Sequence, residues 1–192
     1  MKNIDFKNYN YLKEGNKKQQ KAYEVLKKLD IFNTLKDFSP ILVGTIPINI
    51  DIESSDLDII CEVYNFKLFQ EIIEINYFMH NKFHINIYIN NNEKILTIGF
   101  HVDNMEIEIY AQSLETCKQN GYRHMMVEDR ILKLAGERDR EEIIKLKNEG
   151  LKTEPAFARY LGIDGNPYEE LLELEKYSDK EIKDMLDKAR NS

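Results

Sequence analysis

The chain has 192 residues, 42% hydrophobic and 32% charged, which suits one compact unit, or one with a small helical appendage, and is too apolar for intrinsic disorder. Thirty-four acidic against 27 basic residues give a formal charge of −7, disfavouring tight non-specific binding to nucleic acid while leaving a local basic groove open. No apolar run nears the roughly 18 residues that span a bilayer, the opening MKNIDFKNYN lacks an apolar h-region, and Cys61 and Cys117 have no CxxC spacing. The expectation is a cytoplasmic chain with buried thiols and without a disulfide framework, zinc ribbon or membrane partner.

Ala22, Val25, Leu26 and Leu29 recur at i, i+3, i+4 and i+7, predicting an amphipathic helix from Gly15 to about Asp30. Its lysines (Lys13, Lys17, Lys18, Lys21, Lys27, Lys28) read as a solvated face, since aromatics are not interleaved as stacking platforms. Pro40 leads into Ile41-Leu42-Val43, a buried strand ended by Gly44. Thr45 to Ser55, carrying Pro47, reads as a loop or very short helical turn, with Asp51 and Glu53 solvated. Leu57 to Val63 predicts a second buried strand, and about Phe66 to Asn76 a helix. Phe83–Ile89 and Lys94–Phe100 flank Asn90-Asn91-Asn92, which predicts a hairpin because Asn tolerates positive φ. Met105–Tyr110 alternates with period two. Beyond Ser113 strand-like runs stop, and helices are predicted over about 113–135, 139–148, 155–161, 167–176 and 179–190, with terminators at Gly136 and Gly150 and N-cap signatures at Asn166 and Ser178. The fold class is α/β (α+β): a mixed sheet flanked by helices over 1–112, and a helical region, 113–192, packed on it.

Chemistry concentrates in Val43-Gly44-Thr45, ten further residues, and Asp56-Leu57-Asp58-Ile59. Residues i and i+2 of a strand share a face, so Asp56 and Asp58 converge while Leu57 and Ile59 point away. Like charges so close raise one another's pKa unless a cation neutralises them, and hard oxygen donors select Mg²⁺ or Mn²⁺ over zinc. The Met105–Tyr110 strand supplies a third acid: Glu106 and Glu108 share a face and adjoin the aspartates if this strand lies beside Leu57–Val63. Glu108, flanked by Ile107 and Ile109, is the choice, and Glu106 reads as solvent-facing. Gly44 lets backbone N–H groups approach phosphate oxygens and Thr45 adds a hydroxyl, a combination that holds a triphosphate. Arg123 offers a fork-shaped phosphate donor. His124 and Glu128, at i and i+4, share a helical face. They either serve that chemistry or pair with each other or the sheet. His80, His84 and His101 read as structural, Met125 and Met126 as core, and Gln119 and Asn120 as capping or loop residues.

This constellation resembles the nucleotidyltransferase superfamily of DNA polymerase beta-like enzymes. Their signature is Gly-Ser after a strand, about ten residues, Asp-h-Asp-h with h hydrophobic, and h-Asp/Glu-h on a later strand. Here it stands as Gly44-Thr45, Asp56-Leu57-Asp58-Ile59 and Ile107-Glu108-Ile109, with Thr45 keeping the hydroxyl of the usual Ser. The chain is also similar to a bacterial family of uncharacterised minimal nucleotidyltransferase-like proteins, through GTIPINIDIESSDLDIICEV, EIYAQ, NGYRHMMVEDRIL and KTEPAFARYLGIDGNPYEELLEL, over most of 40–175. The resemblance implies transfer of a nucleoside monophosphate from an NTP to an acceptor the sequence does not identify. The transfer would be a two-metal one: Asp56, Asp58 and Glu108 would hold Mg²⁺ or Mn²⁺, one ion chelating the triphosphate and the second lowering the pKa of the acceptor hydroxyl, Gly44 and Thr45 would cradle the β- and γ-phosphates, and Glu108 would bridge the metals or act as base. A nucleotide- or metal-binding regulatory protein without turnover and a metal-dependent phosphohydrolase are rival readings of the same residues. Nucleic acid as acceptor is open but unsupported, and self-association is undetermined.

Overall fold

The computed structural model describes residues 4–90 and 92–191. They divide into two units, one of residues 4–49 and 55–122, the other of residues 50–54 and 123–191.

The first unit is built from helices α1 (Lys17–Leu29), α2 (Ile31–Thr34) and α3 (Phe66–Tyr77) and strands β1 (Ile41–Val43), β2 (Leu57–Glu62), β3 (Asn81–Asn90), β4 (Glu93–Val102) and β5 (Met105–Gln112). The strands form one mixed sheet in the order β1-β2-β5-β4-β3, in which β2 and β5 are parallel and the other pairs antiparallel. A parallel pair needs a long crossover, and α3 with the β3–β4 hairpin supplies it. Leu57, Ile59 and Cys61 of β2 join Ile107, Ile109 and Ala111 of β5 in the core, with Leu26 and Leu29 of α1 and Phe69 and Ile73 of α3. Phe100 is fully buried, its ring stacked on Tyr77 and His80 with centroids 5.3 Å away in each case.

The hairpin forms as its asparagines require: Asn92 has φ +64°, while Asn91, also in the predicted turn, lies outside the described residues. α1 starts at Lys17 because Asn16 and Gln19 make a reciprocal capping box. Gly15 carries no side chain where Gln19 folds back, and a Cβ there would lie 2.0 Å from Gln19 Oε1.

Three expectations are corrected. The helix expected from 113 begins only with α4 (Asn120–Leu134), after a 3-10 turn at Thr116–Lys118. Gln119 is buried and extended there, its amide donating to the carbonyls of Cys61 (3.0 Å) and Leu114 (2.8 Å), a tie that keeps the backbone out of the helix. The helix expected over 167–176 is α7 (Pro167–Glu173) followed by a 3-10 turn. Arg130 claims the carbonyls of Leu174 and Tyr177 as acceptors. Of the two thiols expected to be buried, Cys61 is and Cys117 is exposed.

In the second unit α4 continues from Arg123, followed by α5 (Glu137–Asn148), α6 (Thr153–Leu161), α7 and α8 (Asp179–Arg190). α6 starts two residues earlier than expected because Pro155 falls in its first turn, where the missing N–H has no intrahelical partner to lose. The polar centre of this unit is Asp139, 1% exposed. It accepts two hydrogen bonds from Arg190 at 2.9 and 2.8 Å, one from Tyr160, and one from the backbone of Gly136. Arg190 first, then Tyr160 and Gly136, hold the Asp139 carboxyl well below the usual carboxylate range against its burial.

Replacing Phe100 with Ala should cost about 3–5 kcal/mol in chemical denaturation, against about 0.5 kcal/mol or less for Ile75→Ala on the exposed side of α3. Because folding lowers the Asp139 pKa, its stabilisation is present above the unfolded value of about 3.9 and lost as pH falls below that. Melting curves should show Asp139→Asn several degrees less stable than the parent at pH 7, with the gap closing below about pH 4.

Candidate active site

The site follows from strand register. Val43 of β1 is opposite Asp58 of β2, Asp58 is opposite Glu108 of β5, Glu108 is opposite Gly99 of β4, and Gly99 is opposite His84 of β3. Residues directly opposite share a face of the sheet, so these five make one transverse row. Asp56, just before β2, joins its inner acids: Asp56, Asp58 and Glu108 each offer a carboxylate oxygen within 4.8 Å of the others. The aspartates are half-buried and Glu108 is exposed. Two unit charges at that spacing repel by about 1 kcal/mol in water and about 3 kcal/mol at an effective dielectric of 20, so the grouping favours a cation.

Gly44 closes the row at the β1 end. Its φ of +82° suits glycine, and a Cβ there would lie 2.4 Å from Asp58 Oδ2. The bend therefore brings bare backbone against the carboxylate. Thr45 Oγ1 donates to Ser55 Oγ at 3.0 Å, linking the two ends of the loop. Loop residues Ile46, Ile48 and Ile50 are buried, and Gln19 of α1 donates to the Ile46 carbonyl at 2.8 Å while Asn16 donates to Asn49 Oδ1 at 2.6 Å. At the other end of the row the His84 ring leans over Gly99, where a Cβ would meet it at 2.2 Å.

Not all the singled-out residues gather here. Glu106 is exposed, opposite His101, with its Oε2 3.8 Å from His101 Nε2. Arg123 makes a two-pronged pair with Glu175, Nε to Oε1 at 3.0 Å and Nη2 to Oε2 at 2.7 Å. Asp51 is half-buried and Glu53 exposed. His124 and Glu128 meet Glu154 in a separate group. Gln19 and Ser55 were not foreseen as supports of the loop. Asn16 followed by Gln three residues later is a cap signal that marks Gln19, whereas nothing local marks Ser55 as the partner of Thr45.

An oxygen-only acidic site beside a half-buried glycine bend has the donors to bind a hard divalent ion. Among the described residues no helix is long and apolar enough to cross a membrane.

The fold is similar to the nucleotidyltransferase fold of the solved GLD-2 and Cid1 structures. The solved structure of a GLD-2/RNP-8 complex aligns with TM-score 0.51 at 14% identity, over 75% of this chain and 57% of that one. A Cid1 poly(U) polymerase structure with MgGTP bound aligns with TM-score 0.53 at 12% identity, over 85% and 52%. A second Cid1 structure, described for its RNA terminal uridylyl transferase activity, gives 0.53 at 11%, over 85% and 51%. The present chain thus spans about half the length of these neighbours. No match is found among curated proteins. The family model described as Domain of unknown function (DUF4269) matches residues 24–174, and the chain belongs to that family.

Proposed function

We propose that this chain is a nucleotidyltransferase that moves a nucleoside monophosphate from an NTP to a hydroxyl- or phosphate-bearing acceptor. The observation that carries the reading is the meeting of Asp56, Asp58 and Glu108 within 4.8 Å beside the positive-φ Gly44. The likeness of its fold to the GLD-2 and Cid1 structures supports it. On this reading residues 1–112 carry the chemistry and 113–192 form the helical region.

The donor set fits Mg²⁺ or Mn²⁺, since all three side chains offer hard carboxylate oxygens. A divalent ion held by Asp56, Asp58 and Glu108 would supply Lewis-acid neutralisation of phosphate charge. The chain's own groups do the rest by positioning. Gly44 presents backbone N–H to phosphate oxygens, and Thr45, once its hydroxyl turns from Ser55, donates a further hydrogen bond. Glu108, the most exposed of the three acids, accepts the proton of an acceptor hydroxyl. The acceptor oxygen bonds to the α-phosphorus, the bond from that phosphorus to the bridging oxygen breaks, and pyrophosphate leaves with the electron pair.

Incubating the protein with each α-labelled NTP, Mg²⁺ or Mn²⁺ and a depleted lysate should yield a labelled adduct and pyrophosphate. Free nucleotide alone would identify a hydrolase, and binding without release a regulatory protein. Asp58→Asn should abolish adduct formation with an unchanged circular dichroism spectrum, while Glu106→Gln keeps the parent rate; equal activity of Asp58→Asn would refute the assignment. Gly44→Ala adds a methyl group against Asp58 Oδ2, so it should lower the turnover rate by about 100-fold or more through misplacement of that carboxylate.

A further inference from the structure

His124 and Glu128 stand one turn apart on α4, so their side chains leave the same face of the helix. Glu154 lies in the first turn of α6. A ring nitrogen of His124 and one carboxylate oxygen from each glutamate all lie within 4.8 Å of one another. This group is more enclosed than the sheet triad: His124 is 7% and Glu128 3% exposed, with Glu154 half-buried. Its further distinction is that His124 Nδ1 and Glu128 Oε1 are buried with no hydrogen-bond partner. Buried polar atoms nearly always find one, because leaving them bare costs roughly 1–3 kcal/mol each. Two such atoms in the same three-residue group call for a common partner.

We propose that His124, Glu128 and Glu154 form a second metal site, one that takes a divalent transition ion of the zinc class. The donor set distinguishes it from the sheet triad. An imidazole nitrogen with two carboxylates suits zinc and its neighbours, whereas Mg²⁺ prefers oxygen alone. The chemistry around the group agrees. Burial first, and then Glu154, push the Glu128 carboxyl well above its ordinary range against the pull of Lys147, while burial holds His124 below its usual value. A neutral imidazole is already the ligand form, and a bound cation would offset the cost of ionising Glu128. With both glutamates ionised and His124 neutral, a divalent ion balances their two negative charges, while Lys147 donates to the Ile50 carbonyl. The site would cross-link α4 to the start of α6, which places its role in holding the helical unit together, independently of nucleotide chemistry.

The test uses the full chain carrying Asp56→Asn and Asp58→Asn, so that the sheet triad does not contribute. The protein is stripped with chelator, dialysed against micromolar Zn²⁺ with millimolar Mg²⁺, and assayed for bound metal by mass spectrometry and for melting temperature. The expected result is about one Zn²⁺ per chain, a melting point raised by several degrees, and at least tenfold weaker zinc binding in both His124→Gln and Glu154→Gln. Because Glu154 is only half-buried, Glu154→Gln decides the matter if His124→Gln fails to fold by circular dichroism. No zinc retained by the parent, or equal zinc retained by folded Glu154→Gln, would overturn the proposal.

Discussion

The arrangement rests on the parallel pairing of β2 with β5. The pairing sets Asp58 opposite Glu108 while Leu57 and Ile59 enter the core beside Ile107 and Ile109. Alternation in both strands couples the two outcomes: the burial that stabilises the sheet fixes which residues remain on the other face. A one-residue slip would send acids into the core and bring isoleucines to the site. Core packing therefore enforces the geometry of the carboxylates.

The same coupling explains the rest of the row. β1 runs antiparallel beside β2 and ends at Gly44, where the chain turns with positive φ against Asp58. Its loop is then pinned by the buried Ile46 and Ile48 and by the Gln19 amide. Rigid supports of this kind matter where the task is to place groups rather than to make bonds to them. The helical unit is organised differently, around buried ionisable groups: Asp139 with Arg190, and His124 and Glu128 with the half-buried Glu154. The first is satisfied by four hydrogen bonds, whereas the second leaves two buried atoms bare.

Much of this was legible in the sequence because it is periodic. Alternation in LDIICEV and MEIEIY marks Asp58 and Glu108 as sharing a face with their own neighbours, and the spacing from Gly44 to Asp56 marks the loop between them. Register is not local information, however: that Glu108 and not Glu106 lies opposite Asp58 emerges only when the strands pair. Side chains that act across long separations were equally hidden. Glu154 joins His124 from 30 residues away, Arg190 reaches Asp139 across 51, and Gln119 reaches the Cys61 carbonyl across 58. Helix ends went astray where a side chain captured backbone groups, as Gln119 does before α4 and Arg130 does after α7. Cys117 was misread because its neighbours carry no periodic burial signal once the strand has ended.

The central claim, that the sheet's three acids share one divalent ion, is tested most directly by Mn²⁺ titration followed by electron paramagnetic resonance, on a Glu154→Gln background so that the helical group does not contribute. The account predicts a saturable Mn²⁺ site displaced by Mg²⁺ and weakened at least tenfold by either Asp56→Asn or Glu108→Gln, acids that enter from different strands. Unaltered Mn²⁺ affinity in Glu108→Gln would contradict it.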